Sequence, residues 1–156
     1  MTTRKSDIRR ILSKEDHEAA STIFTETFIK HNMLWKKDPP DYDEAYQAFH
    51  YKLSVSMGQE MAFGFYRDGK LIGTTCHSPM QYYLSLPKKT YKSMILNLQN
   101  HYSSLLEEDI PKHYDGKSKA LYGTIVAMAA EHSLKGYAID FWLEGLKMMQ
   151  ELEYKY

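Results

Sequence analysis

The stretch from Val126 to Ala138 constrains this chain more than any other segment, because it combines three local signals in a fixed order. An apolar run from Tyr122 to Ala130 leads into a short polar segment, then Gly136 and Ala138, and then a long amphipathic pattern. This order predicts a strand, a tight loop and a helix start. A helix start favours phosphate, and small residues let a ligand approach the backbone. An ordinary strand-to-helix turn, in which Gly136 only relieves the backbone, explains the same spacing equally well.

Composition excludes several classes of protein. Lys plus Arg equals Asp plus Glu at 20 each, so no net field favours nucleic acid or an anionic membrane, and we expect neither as a partner. The single cysteine, Cys76, excludes an internal disulfide, and the scattered histidines lack ligand spacing, so we expect no metal site. No boundary signal divides the chain, which predicts one domain over residues 1–156.

The compartment is predicted from the cysteine usage and the N-terminus. One cysteine fits a reducing environment, and no apolar region follows the basic N-terminus, which excludes a secretory signal. Arg4, Arg9 and Arg10 would fit a mitochondrial presequence, but Ile8–Leu12 looks needed as a strand of the fold. We therefore expect a cytoplasmic rather than a mitochondrial protein.

The remaining pattern alternates helices and strands. The first half of the chain predicts a strand at Ile8–Leu12, a helix capped by Ser13 and ending near His31–Asn32, and a loop at Lys36–Pro40. A second helix, capped by Asp41 or Asp43 and ending at Gly58, precedes a hairpin of Met61–Tyr66 and Leu71–His77. The second half predicts a helix at Thr90–Leu106, a strand at Leu121–Ala129 and a helix at Ala138–Glu151. The apolar stripe of the last helix comprises Ile139, Trp142, Leu143, Leu146 and Met149. This order predicts an α+β fold, an α/β sandwich around one mixed sheet.

The strand–loop–helix stretch resembles motif A of the GNAT acyltransferase superfamily. That motif is a strand followed by Gln or Arg, two residues, Gly, one residue, and Gly or Ala. Gly136 and Ala138 match the two small positions, and Ser133 stands where the family has Gln or Arg. In that family the loop amides hold the pyrophosphate of acetyl-CoA. The serine removes a long polar side chain and leaves those amides in place.

Two further segments support the resemblance. Arg67–Gly73 looks like the family's turn between its second and third strands, and Phe28–Leu34 looks like the end of the first helix in eukaryotic arylalkylamine-type acetyltransferases. A complete member continues with a fifth strand, another helix and further strands, whereas here only Glu153–Tyr156 could start that fifth strand. The resemblance thus implies a GNAT-like mixed sheet flanked by helices and truncated after the fourth strand and its helix. Three explanations stay open: the chain is a fragment of a longer one, a partner protein covers the open sheet edge, or the protein has lost catalysis.

The activity implied by the resemblance is direct transfer of an acetyl group from acetyl-CoA, a co-substrate, to an amine of a small molecule or peptide. The implied oxyanion donor is the backbone N–H of Met128. The implied cofactor-binding residues are Met128, Ser133, Leu134, Lys135, Gly136, Tyr137 and Ala138. The missing C-terminal part leaves a second function open, a catalytically inactive GNAT-like module that serves as a structural subunit of a larger assembly.

No strong general base is visible in the sequence. His77 and Tyr122 are the candidates, although a strand-end histidine in contact with water explains His77 as well. Cys76 is expected in the core, since neighbours on a strand point to opposite faces and cannot form a Cys–His pair. His132 either touches phosphate or is a solvated loop residue. Three tyrosines fit an aromatic acceptor pocket or plain packing: Tyr82, Tyr83 and Tyr91.

Overall fold

The computed structural model describes residues 7–80, 82, 87, 89–98, 108–109, 112, 121–133 and 136–153. Its elements are β1 (Asp7–Arg10), α1 (Lys14–His31), α2 (Met33–Lys37), α3 (Tyr42–Gly58), β2 (Ala62–Arg67), β3 (Lys70–Pro79), β4 (Leu121–Met128), a 3-10 turn (Ala130–His132) and α4 (Tyr137–Glu151). Residues 94–98 are helical, and residues 99–106 of the helix predicted at Thr90–Leu106 lie outside the described residues.

Asn32 joins the first two helices. Its backbone N–H donates to the Phe28 carbonyl at 2.9 Å and ends α1, while its Oδ1 accepts the Leu34 N–H at 3.0 Å and starts α2. The helix that starts at this cap, α2, ends at Lys37. The loop predicted at Lys36–Pro40 is therefore wrong at Lys36 and Lys37, which are helical. The predicted ends of α1 and α3 are confirmed.

The sheet has the order β1-β2-β3-β4, and its three described pairings are all antiparallel. The β2–β3 hairpin turns at Asp68 and Gly69, which both have positive φ, the conformation of a primed two-residue turn. The predicted α+β class is confirmed. The sheet was predicted to be mixed, but none of the three described strand pairings is parallel. The strand end predicted at His77 is wrong, because β3 continues to Pro79 through an irregularity near His77.

Helices cover both faces of the sheet. The face under α1, α2 and α3 carries a core that includes Phe24, Trp35, Phe49, Cys76 and Ala127. The face under α4 carries a second core that includes Phe63, Phe65, Ile72, Met128 and Phe141. This layered packing buries β2 and β3 almost throughout. The end of β4 contributes to both cores, through Ala127 on one face and Met128 on the other.

Helix α4 packs through a different face from the one expected. Phe141 is fully buried, and its ring stacks on Phe65 with 5.6 Å between centroids. Ile139, Trp142 and Leu143 are instead exposed, at 65%, 48% and 51%. The stripe prediction was wrong at these positions because the helix is apolar on two sides, and contacts with β2 select the side that is buried. Within the described residues, no helix combines the length and apolar character needed to span a membrane.

Candidate functional site

The far edge of β4 is unpaired in the part of the chain that the structure describes. Met128 lies opposite Gly73, and the next residue, Ala129, donates its N–H to the Ile72 carbonyl at 2.9 Å. In an antiparallel ladder this makes Gly73 and Met128 a non-hydrogen-bonded pair. The N–H and C=O of Met128 therefore point away from β3, toward the open edge.

The side chain of Met128 projects perpendicular to the sheet, into the core under α4. The Met128 Sδ and Cε lie where a Cβ on Gly73 would stand, so a larger residue at position 73 would have to displace the end of this side chain. Met128 is 7% exposed and belongs to the same core as Phe141. The backbone N–H is thus presented at the edge by a residue whose side chain is held in the interior.

The chain leaves β4 through a compact turn. Ser133 closes this turn, since its Oγ donates to the Ala129 carbonyl at 3.3 Å and its N–H donates to the Ala130 carbonyl at 3.3 Å. Ser133 therefore ties the loop to the strand end, whereas Gln or Arg in the motif would extend outward. The predicted loop residues Leu134 and Lys135 lie outside the described residues.

Gly136 adopts a backbone conformation that favours glycine. Its φ is +79°, and among the described residues no atom beyond its chain neighbours lies within 4 Å of a Cβ built at this position. Its carbonyl accepts the Ile139 N–H at 3.1 Å, so α4 begins at Tyr137, with Ala138 in its first turn. The open space beside this helix start is where backbone N–H groups would meet an anion.

Arg67 was not expected at this site. Its Nη1 donates to the Tyr137 hydroxyl at 2.6 Å, and its guanidinium carbon lies 5.4 Å from the centre of the Tyr137 ring. A cation from the β2–β3 hairpin therefore reaches the first residue of α4. Arg67 and Tyr137 are 70 residues apart, so sequence patterns could not predict their contact. The local sequence shows only an arginine immediately before the Asp68–Gly69 turn.

The base candidates stay predictions. His77 is 1% exposed, and burial lowers the pKa of its imidazole to about 4, so the ring is neutral near pH 7. Its Nε2 lies 3.2 Å from the Thr75 Oγ1. The side chain of Tyr122 lies outside the described residues. Cys76 is in the core as predicted, where burial raises the pKa of its thiol to about 11.

The other polar candidates are distributed differently. The side chain of His132 is 21% exposed, less than a fully solvated loop residue. Its Nε2 lies 4.0 Å from Glu131 Oε1, and its Nδ1 has no partner among the described atoms. Tyr82 is exposed, and Tyr91 is half-buried with its pKa raised by burial and by Tyr51. Tyr83 lies outside the described residues. No cluster of three metal-ligating side chains occurs in the described ranges.

Comparison with solved structures places this geometry in a known fold. The C-terminal condensation domain of Ebony, in complex with beta-alanyl-dopamine, superposes with a TM-score of 0.77 at 17% identity, covering 97% of this chain and 73% of that one. A proposed arylalkylamine N-acetyltransferase 7 from the yellow fever mosquito gives 0.61 at 13% identity, covering 90% and 60%. A GNAT family acetyltransferase from Brucella melitensis in complex with acetyl-CoA gives 0.51 at 12%, covering 96% and 71%.

These likenesses concern the fold. No protein-family model matches the sequence, and no curated protein matches it either. The chain spans less than two thirds of the mosquito protein's length and about three quarters of the Ebony domain's. Three solved structures nevertheless align with at least nine tenths of this chain. The chain has the fold of the GNAT N-acetyltransferases.

Proposed function

We propose that this protein is an N-acyltransferase that uses acetyl-CoA as its acyl donor. The observation that carries the proposal is the end of β4, where an outward-facing Met128 N–H is followed by the positive-φ Gly136 and the start of α4. A thioester carbonyl fits beside the first, and a pyrophosphate fits beside the second. The open space beside Gly136 is consistent with such a ligand.

Some residues of the proposed site would bind acetyl-CoA, and others would activate the reacting groups. Acetyl-CoA supplies an acyl group that is already activated as a thioester. The Met128 N–H would polarise the carbonyl, and the amides from Leu134 to Ala138 would hold the pyrophosphate, since the Ser133 N–H already donates to the Ala130 carbonyl. The positive end of α4 favours that anion without any long side chain at Ser133. The amine nucleophile must lose a proton, and His77 and Tyr122 remain the candidate bases.

The acceptor is proposed to be an aromatic amine. The Ebony domain is bound to beta-alanyl-dopamine, and the mosquito protein is named for arylalkylamines. We propose the same acceptor class here, on a small molecule or a peptide, and a cytoplasmic location that suits a buried, reduced Cys76. Dopamine, tyramine and a short amine-bearing peptide form a sufficient first panel.

Calorimetric titration of the purified chain with acetyl-CoA tests the proposal, with ADP and free pantetheine as the two half-ligands. We expect micromolar affinity for acetyl-CoA and far weaker binding of either half, because the two halves occupy opposite ends of the site. Turnover with the amine panel would then be measured by release of the CoA thiol. A folded chain that binds no acetyl-CoA contradicts the proposal.

A structural subunit of a larger assembly is the second candidate. The observations in its favour are the edge of β4 that no described strand covers and the exposed Ile139, Trp142 and Leu143, since open strand edges and apolar patches are association surfaces. Such a module would turn over no acyl donor, even in the presence of a partner that makes it soluble. Turnover by the isolated chain would exclude it.

Arg67→Met is expected to weaken acetyl-CoA binding by about fivefold, which is roughly 1 kcal/mol. The change removes the hydrogen bond to Tyr137 and a positive charge beside the helix start. Arg10→Met is the matched control, because Arg10 lies on β1 and pairs with Glu60 at 2.7 Å. Titration of both variants checks the prediction, and equal affinities would show that Arg67 has no role in binding.

A further inference from the structure

Helix α1 carries four hydroxyl side chains, and they do not behave alike. Ser21, Thr22 and Thr25 each donate to the carbonyl four residues earlier in their own helix, at 2.8, 3.0 and 2.8 Å. Thr27 instead donates across 101 residues to the carbonyl of Met128, at 3.0 Å. The intrahelical bond is the default for a helical threonine, so the bond from Thr27 marks a specific tie between α1 and the end of β4.

The bond falls on the peptide unit that ends the strand. In the unit joining Met128 to Ala129, the N–H donates to Ile72 of β3 and the C=O accepts from Thr27 of α1. Both polar groups of this peptide are therefore fixed, by elements on two sides of it. Rotation of the unit would break both bonds at once, so the two bonds fix ψ of Met128 and anchor its Cα, from which the preceding N–H of Met128 extends.

Met128 is consequently held from three directions. Its side chain is buried against Gly73, the following N–H is tied to β3, and its carbonyl is tied to Thr27. Among the described residues, no acceptor is recorded for its own N–H, which faces the open edge of the sheet. A hydrogen-bond donor fixed in this way can stabilise negative charge on a ligand oxygen without reorganising.

We propose that Thr27 is a positioning residue for acyl transfer, which acts through Met128 and does not touch the substrate. The inference rests on the proposed function, since the carbonyl to be polarised is that of the acyl donor. By anchoring the Met128 carbonyl, the hydroxyl holds the end of β4 in the place from which the Met128 N–H is aimed at the thioester. It does not contribute to the affinity for the nucleotide end of the donor, which the Gly136 end of the site holds.

The test compares Thr27→Val, which is isosteric and lacks the hydroxyl, with Thr27→Ser, which keeps it. Thr22→Val serves as the matched control, because it removes only an intrahelical bond. We expect Thr27→Val to lower kcat by about tenfold while changing the Kd for CoA less than about twofold, because a loosened donor affects the transition state and not nucleotide binding. Thr27→Ser is expected to retain at least about a third of the wild-type kcat, and Thr22→Val nearly all of it.

A second readout separates positioning from loss of stability. In amide NMR spectra, acetyl-CoA should shift the Met128 N–H of the wild type more than CoA does, and Thr27→Val should remove that difference. Equal kcat values for Thr27→Val and Thr22→Val would overturn the role of Thr27 while leaving the proposed function intact. A wild-type chain without acetyl-CoA binding or turnover would overturn the proposed function, and with it this role.

Discussion

Replacing Gly136 by aspartate is expected to weaken acetyl-CoA binding by about 100-fold, or about 2.7 kcal/mol, relative to asparagine at the same position. The new carboxylate would stand at the start of α4, in the open space where the pyrophosphate is proposed to bind. Two charges 5 Å apart at an effective dielectric of 20 repel by roughly 3 kcal/mol, so one carboxylate is sufficient.

Asparagine is the appropriate control because it shares the backbone requirements of aspartate. Gly136 has a φ of +79°, and Asn and Asp both tolerate the left-handed region better than other side chains. They are also similar as helix N-caps, so the two variants should be about equally stable. Calorimetric titration of both variants, with thermal unfolding as a check on folding, measures the effect of charge alone. Equal affinities in two folded variants would remove Gly136 from the proposed site.

Local pattern was enough to predict most of the fold. Ser13 and Asp41 cap their helices as expected, and Asp68–Gly69 makes the hairpin turn. Each of these signals acts within four residues, where backbone chemistry decides the outcome with little help from tertiary contacts. The glycine before α4 belongs to the same class, since a positive φ at Gly136 is a local property that its residue type permits.

The features missed from the sequence depend on contacts between distant residues. The buried side of α4 was chosen wrongly because two of its sides are apolar, and the ring of Phe65 determines which one packs. Arg67 reaches Tyr137 across 70 residues, and Thr27 reaches Met128 across 101. A polar side chain on an amphipathic helix or strand is expected to face solvent. Its position in the sequence therefore gives no sign that it bonds to a residue so far away.

Acid is expected to destabilise this protein through His77, at a cost of about 3 kcal/mol between pH 7 and pH 4. Burial lowers the pKa of His77 from its ordinary 6.5 to about 4. The folded state therefore binds this proton less readily than the unfolded chain does. The stability associated with a neutral His77 is complete above about pH 6.5 and is lost as the pH falls from there toward 4. Urea unfolding at several pH values measures the decline.

Replacement of His77 by glutamine tests whether that residue is the cause, because glutamine keeps hydrogen-bonding capacity toward Thr75 but does not titrate. The variant should be less stable than the wild type at pH 7, and its stability should fall by about 3 kcal/mol less on acidification. His31→Gln is the matched control, since His31 is exposed at the end of α1. His50, whose pKa is lowered by burial and then by His17, contributes a residual slope of the same sign in every variant. If the free energy of unfolding of His77→Gln, of His31→Gln and of the wild type falls equally as the pH is lowered, the buried imidazole is not the cause of the loss of stability in acid.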